Sequence, residues 1–240
     1  MRTIIILVII SAAGMVLLTT ESCNCHGKRG NGHKTTETRT ITPFTKISIN
    51  GVFPVELSQT GDSEFVKVEA DENLQSMVTV KNEGDELLIG MKTEPITGKV
   101  KVFVNIKNLR SLDFHSVGNL STSNILKLDS LELSSESVGK IDLDIEAKYL
   151  HADLKSVGGT TLNGKVSEVR INNKSVGSLS AFGLKANTLM IHSTAIGTTE
   201  VYADSAFYIR SSAVGALYYK GPGVLKELKS DGVGRVQKKE

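Results

Sequence analysis

Tryptophan is absent from these 240 residues, aromatic residues make up only 5%, and there are four prolines and two cysteines. Both cysteines, Cys23 and Cys25, lie near the N-terminus, so the rest of the chain folds without a disulfide and depends on packing alone. Charge of one sign is also lacking: 28 Lys and Arg face 26 Asp and Glu, a net +2 with both signs interspersed. That balance excludes the clustered basic stripe of a nucleic-acid-binding protein and the strong net charge of a disordered chain. The five histidines are scattered, and none pairs with a plausible Ser or Cys nucleophile. No motif calls for a cofactor. Glycine is plentiful, with 22 residues, and suits short strands and tight corners.

Residues 1–22 read as a signal peptide. Arg2 supplies a small positive region, and Ile4 to Leu18 form an uncharged apolar run of 15 residues, short of the roughly 20 that a membrane span needs. Cys23 follows in Thr20-Glu21-Ser22-Cys23, a loose match to a bacterial lipobox, which makes Cys23 the expected lipidation site and the membrane a partner through that anchor. A metal site at Cys23-Asn24-Cys25-His26 is not expected, because structural zinc sites separate their cysteines by two to four residues. Residues 23–39, rich in Gly, Thr, Lys and His, read as a flexible linker. Residues 40–108 alternate apolar and polar positions between turns such as Asn82-Glu83-Gly84-Asp85, giving a β portion rich in hairpins. Asp71-Glu72-Asn73-Leu74-Gln75 is the one place for a helical turn.

Residues 109–237 carry a repeat. A small residue, then Val or Ile, then Gly recurs at Gly118, Gly139, Gly158, Gly177, Gly197, Gly215 and Gly234, with intervals of 21, 19, 19, 20, 18 and 19. Six positions before each Gly stand Leu112, Leu133, Ala152, Ile171, Ile191, Ile209 and Leu228, and the positions of the same parity are mostly apolar or small. Each unit is therefore two short strands joined at a Gly corner. A two-strand unit buries its apolar face only by stacking on identical units, so the chain reads as all-β, a parallel β-helix with coils of about 19 residues. The Ser and Asn four positions before the Gly (Ser135, Asn173, Ser193 and Ser211) are expected to form a buried hydrogen-bonded ladder. A leucine-rich repeat is excluded because Gly stands where that repeat needs Asn or Cys, and a left-handed hexapeptide helix because no six-residue subperiod exists.

Three stretches resemble the auto-transporter adhesin head GIN domain family of Bacteroidota envelope proteins. They are Phe44-x-x-Ile47 through Val52-x-x-Val55-x-Leu57, then Val66-x-Val68-x-Ala70-Asp71-Glu72-Asn73-Leu74, and the Gly repeats closing in Tyr219-Lys220-Gly221-Pro222-Gly223. Relatives usually repeat Ser-Gly-Ala-Gly; here Ser or Ala and Val or Ile precede the Gly. The resemblance implies a right-handed parallel β-helix with a β-rich N-terminal portion forming one continuous domain. It implies no catalytic residues.

Function is then expected to lie in a surface. The leading expectation is a non-enzymatic cell-envelope lipoprotein of the outer membrane, its β-helix a binding or structural surface for a glycan or protein ligand. Phe182 and Tyr202, with Tyr208 and Tyr218 in nearby columns, are the candidate binding aromatics. The alternative is a polysaccharide-binding or polysaccharide-degrading β-helix, with Asp142 and Asp144 approaching Asp113 or Asp153. At the coil ends, the hairpin portion is expected to cover one end and the polar tail Arg235 to Glu240 the other. Strict alternation would turn Val117, Val138, Val157, Val176, Ile196, Val214 and Val233 outward; the bend at Gly is expected to shift the parity and tuck them in.

Overall fold

Alternating parity along the repeats leaves each strand one apolar face, and the coils stack to bury it. The computed structural model describes residues 27–61, 63–92 and 96–240. Its strands are β1 (Lys28–Arg29), β2 (Lys34–Arg39), β3 (Lys46–Gly51), β4 (Val55–Ser58), β5 (Phe65–Asp71), β6 (Val78–Glu83), β7 (Glu86–Met91), β8 (Ile96–Thr97), β9 (Val100–Asn105) and β10 (Ser111–Ser116). They continue as β11 (Leu120–Thr122), β12 (Leu126–Lys127), β13 (Ser130–Ser135), β14 (Ile141–Leu154), β15 (Thr160–Asn173), β16 (Leu179–Ser193), β17 (Thr199–Ser211), β18 (Gly215–Lys220), β19 (Val224–Ser230) and β20 (Gly234–Lys239). A 3-10 helix, Glu72–Met77, lies between β5 and β6.

Two parallel ladders run up the molecule and meet at the Gly corner. The front ladder joins β7, β3, β10, β13, the second halves of β14 to β17, and β19. The back ladder joins β9, β4, β11, the first halves of β14 to β17, then β18 and β20. β14 to β17 are long because each follows the back ladder, bends opposite the Gly corner and continues into the front ladder. Between the ladders lies the core, where Leu112, Leu133, Ala152, Ile171, Ile191 and Ile209 stack with at most 2% exposure.

The N-terminal portion differs from a plain set of hairpins. β3 with β4, and β7 with β9, form two further parallel coils, and the later-made β7–β9 coil lies beneath the earlier β3–β4 coil. Antiparallel strands close that end: β6 on β7, β5 on β9 and β2 on β5. The 3-10 helix crosses the open end and buries Leu74, Gln75 and Met77. Asp71 precedes this helix without a side-chain capping bond. The Gln75 amide donates to the Thr35 and Val68 carbonyls at 2.9 and 3.0 Å, so the polar group in the plug is satisfied.

Two other sequence expectations are corrected here. Linker character does not extend to residue 39: β1 pairs with β8 and β2 with β5, because Lys34–Arg39 supplies the hydrogen-bonding edge that β5 lacks. The polar tail is no separate cap; Gly234–Lys239 is itself the last strand, paired with β18 and carrying Lys238 and Lys239 along its edge. The signal peptide, Cys23, the first linker residues and Asp62 of the Gly61-Asp62 turn lie outside the described residues.

The corner glycines pack backbone on backbone. Gly139, Gly158, Gly177, Gly197 and Gly215 have φ between 132° and 147°, a region that favours glycine. A Cβ on Gly177 would collide with the Gly158 carbonyl, and the same relation recurs down the column. The side-chain ladder beside it is shorter than expected. Ser135, Ser137 and Ser156 form a closed triangle at 2.8–3.0 Å, but Leu154 interrupts the column above Ser135 and the Ser193 hydroxyl finds no partner. Asn173 instead accepts from the Ser175 amide and donates to Thr199. Replacing Gly177 by Ala should lower unfolding free energy by about 3 kcal/mol in urea titration, since clash and backbone strain add. At Gly159, where a Cβ meets nothing within 4 Å, Ala should cost under about 0.5 kcal/mol.

Candidate functional site

The Val/Ile column points outward, contrary to the expected inward tuck. Val117, Val138, Val157, Val176, Ile196 and Val214 are 49–55% exposed, Val233 is 85% exposed, and Val52 of the β3–β4 coil extends the line at 61%. The cause is that the strand does not end before Gly. From Val117 to Val214 each residue of the column is joined to the next by a parallel bridge. Val157 N–H donates to the Ser137 carbonyl at 2.8 Å, while Gly158 N–H donates to the Val176 carbonyl at 3.0 Å. Alternation therefore continues through the Val, and the chain turns only at the Gly. The result is a straight ridge of eight β-branched side chains, roughly 34 Å long at about 4.8 Å per level. At its lower end a groove of about 670 Å³ separates Val52, Val117 and Val138 from Met91, Lys92 and Ile96.

A different surface lies on the outer side of the front ladder. Registry places Glu132, His151, Arg170, Met190, Tyr208 and Glu227 in one column. Tyr149, Glu168 and Thr188 stand in the next, and Asp153, Asn172, His192 and Arg210 on the other side. All of these but Asp153 line two shallow depressions of about 310 and 470 Å³ that share His151, Arg170 and Met190, and so form one trough. Tyr149, Met190 and Tyr208 give it an apolar floor. Its polar groups are partly engaged: Asn172 donates to Asp153 at 2.6 Å. The hydrogen bond from Arg210 at 2.9 Å, with Lys229 nearby, holds the Glu227 carboxyl below the usual range. Arg170 is exposed and, among the described residues, has no carboxylate within ion-pair distance.

The four aromatics singled out in the sequence do not form one patch. Phe182, Tyr202 and Tyr218 lie on the back ladder, whereas Tyr208 lies in the front trough. Lys185 stands 3.6 Å over the Tyr202 ring, and Lys239 stands 4.3 Å over the Tyr218 ring, so cations already cover those faces. Asp204 accepts a 2.7 Å hydrogen bond from the Tyr202 hydroxyl and raises its pKa. The acidic residues also separate. Asp142 and Asp144 are on the back ladder and Asp113 and Asp153 on the front, so no carboxylate pair converges there. Among the described residues no group of three His, Cys, Asp or Glu side chains could hold a metal ion, and no helix is long and apolar enough to cross a membrane.

Residues 43–223 match the family described as "Putative auto-transporter adhesin, head GIN domain". The chain belongs to this family. Among solved structures, a putative adhesin from Bacteroides fragilis superposes with TM-score 0.83 at 23% identity, covering 89% of this chain and 100% of that one. A putative lipid binding protein from Parabacteroides distasonis gives TM-score 0.64 at 20% identity, covering 88% and 99%. A putative adhesin from the same species gives 0.62 at 22%, again covering 88% and 99%. No curated protein matches the sequence. At these identities the likenesses establish the head GIN fold of the chain. The parallel β-helix expected from the repeat is the observed architecture.

Within this head GIN domain, Tyr149 and Arg170 were missed by sequence reasoning. Tyr149 sits at the bend opposite the Gly corner, where the repeats share no consensus; the repeat period does place Arg170 in one outward column with His151 and Met190, but mixed residue types gave no signal of a binding site there. If the ridge stands outside the core, Ile196→Thr should change stability by less than about 0.5 kcal/mol. Ile191→Thr, one strand-length earlier at 1% exposure, should cost about 2–3 kcal/mol in the same denaturation measurement.

Proposed function

We propose that this head GIN protein is a non-enzymatic, adhesin-type lipoprotein of the cell envelope, whose front trough binds an extended glycan. The observation that carries the reading is the trough itself: two adjacent columns bring Tyr149 and, from the second, Met190 and Tyr208 to one surface beside the donors His151, Arg170, His192 and Arg210. Sugar rings offer an apolar face and a rim of hydroxyls, and an aromatic floor with polar walls complements both. Family membership supports the adhesive role and a location in the envelope. The apolar run before Cys23 supports a lipid anchor there, with attachment to the outer membrane. The back-ladder aromatics Phe182, Tyr202 and Tyr218 are a weaker surface, since cations occupy two of the rings.

The test is an array of cell-surface glycans probed with the chain, followed by Tyr149→Ala and Arg170→Ala variants. Each substitution should weaken retention about 30-fold, as for an interface residue worth roughly 2 kcal/mol. Retention that both variants leave intact overturns the trough as the site. Separately, Cys23→Ser should move the protein from the membrane fraction to the soluble fraction of cells, read by immunoblot. Protein still held in the membrane would exclude the lipid anchor at Cys23.

A further inference from the structure

The Val/Ile ridge is too long and too regular to leave without a partner, and the residues beside it select one. On the front side of each ridge residue stand His115, Glu136, Lys155, Lys174, Thr194, Ser212 and Asp231, two positions earlier in the chain. On the back side, two positions later, stand Asn119, Lys140, Gly159, Ser178, Thr198, Ala216 and Arg235. For the Val52 level the flanking residues are Asn50 and Pro54. We propose that the ridge is a dimer interface with a second copy of this chain, the two solenoids lying side by side and parallel about a two-fold axis along their length.

Charge decides the orientation. A two-fold axis along the solenoid sets the front flank of one copy against the back flank of the other at the same level. Glu136 then meets Lys140 of the second copy, and Asp231 meets Arg235, each twice by symmetry. The remaining levels oppose a neutral or small residue to its counterpart: Asn50 to Pro54, His115 to Asn119, Lys155 to Gly159, Lys174 to Ser178, Thr194 to Thr198 and Ser212 to Ala216. No like charges face each other. An antiparallel dimer with the same overlap opposes front flank to front flank and sets Lys155 against Lys174 at its centre, with no opposite charges in return. Complementary charge fixes the register and orientation of an interface, and like-charge juxtaposition is penalised. The apolar stripe supplies the area: a contiguous exposed stripe of this length marks an interaction site in a soluble domain. Within one copy Glu136 already accepts from Lys155 at 2.5 Å, and this contact holds its carboxyl ionised, below the usual range. It remains half exposed and able to take a second cation. Arg235 gives one amine to the Tyr218 hydroxyl at 2.7 Å and keeps its other donors. The front trough lies further round the front ladder and stays open in this arrangement.

Cysteine cross-linking of the full chain in cells tests both association and orientation. In a Cys25→Ser background, Val117→Cys and Val214→Cys are made singly and treated with a short thiol cross-linker. In the parallel dimer each cysteine faces its own copy, so both variants should give at least ten times the dimer of the background chain. An antiparallel pairing would cross-link neither variant alone, and a ridge without a partner would leave both at background; either result overturns the proposal. Glu136→Lys should reduce the cross-linked fraction several-fold, and adding Lys140→Glu should restore it. Because these four residues are exposed, an unchanged thermal transition by circular dichroism checks that the variants remain folded. Failure of Lys140→Glu to rescue, with folding intact, would overturn the assigned register.

Discussion

The closeness of neighbouring backbones at the Gly corner is the constraint on which the rest of this molecule depends. Parallel ladders set the coils at one strand spacing, and at the corner the carbonyl of one Gly occupies the space where a Cβ of the next would stand. That contact fixes where each coil turns. It thereby fixes which residues before the corner point in and which point out, and both the buried Ser triangle and the exposed Val/Ile ridge follow. A wider corner would relax the register that lines up the columns of the trough. The surface chemistry of this protein is thus a product of a steric rule in its interior.

The same rule explains the division of labour between the ladders. Apolar residues of one parity make a continuous core from Leu112 to Ile209, and the opposite parity is free to vary because it carries no packing duty. Along the front ladder that freedom has placed Glu, His, Arg, Met and Tyr in successive levels of one column. Along the corner it has been refused: eight levels in a row keep a β-branched residue outside. Extended backbone favours such residues, yet the flanking front and back columns, equally extended, hold a β-branched residue at one level each, Thr194 and Thr198. Backbone preference therefore does not account for the ridge, and its uniformity points to a contact that the isolated chain does not make.

The period, the inward parity and the parallel stacking were legible in the sequence because each is written seven times, so chance matches average out. What occurs once was not legible. The β3–β4 coil went unseen because Phe53 stands where later coils have Gly, and the β7–β9 coil because Lys92 follows its strand at the level where later coils have Val or Ile. The direction of the Val column was misjudged because sequence cannot say on which side of a residue the chain bends; hydrogen bonds on both sides of Val157 and its equivalents decide that. The serine ladder was overestimated because identity at a column was taken to imply contact, while a single Leu154 breaks the sequence of hydroxyls. Of the candidate site, Tyr208 was found in advance and Tyr149 was not, for the bend that places it has no repeating signature.

The order of coils in space departs from their order along the chain. Since β7–β9 slides beneath β3–β4 and brings the 3-10 plug with it, the first-made coil is flanked on both sides by segments synthesised later. Its lower edge is covered by its own downstream segment, and its upper edge carries the later coils. Above it the coils stack in chain order and in one direction, each resting on the one before. The number of coils is then a free parameter of this architecture: duplication or loss of a 19-residue unit changes the height of the ridge and the trough together, without disturbing the sealed base.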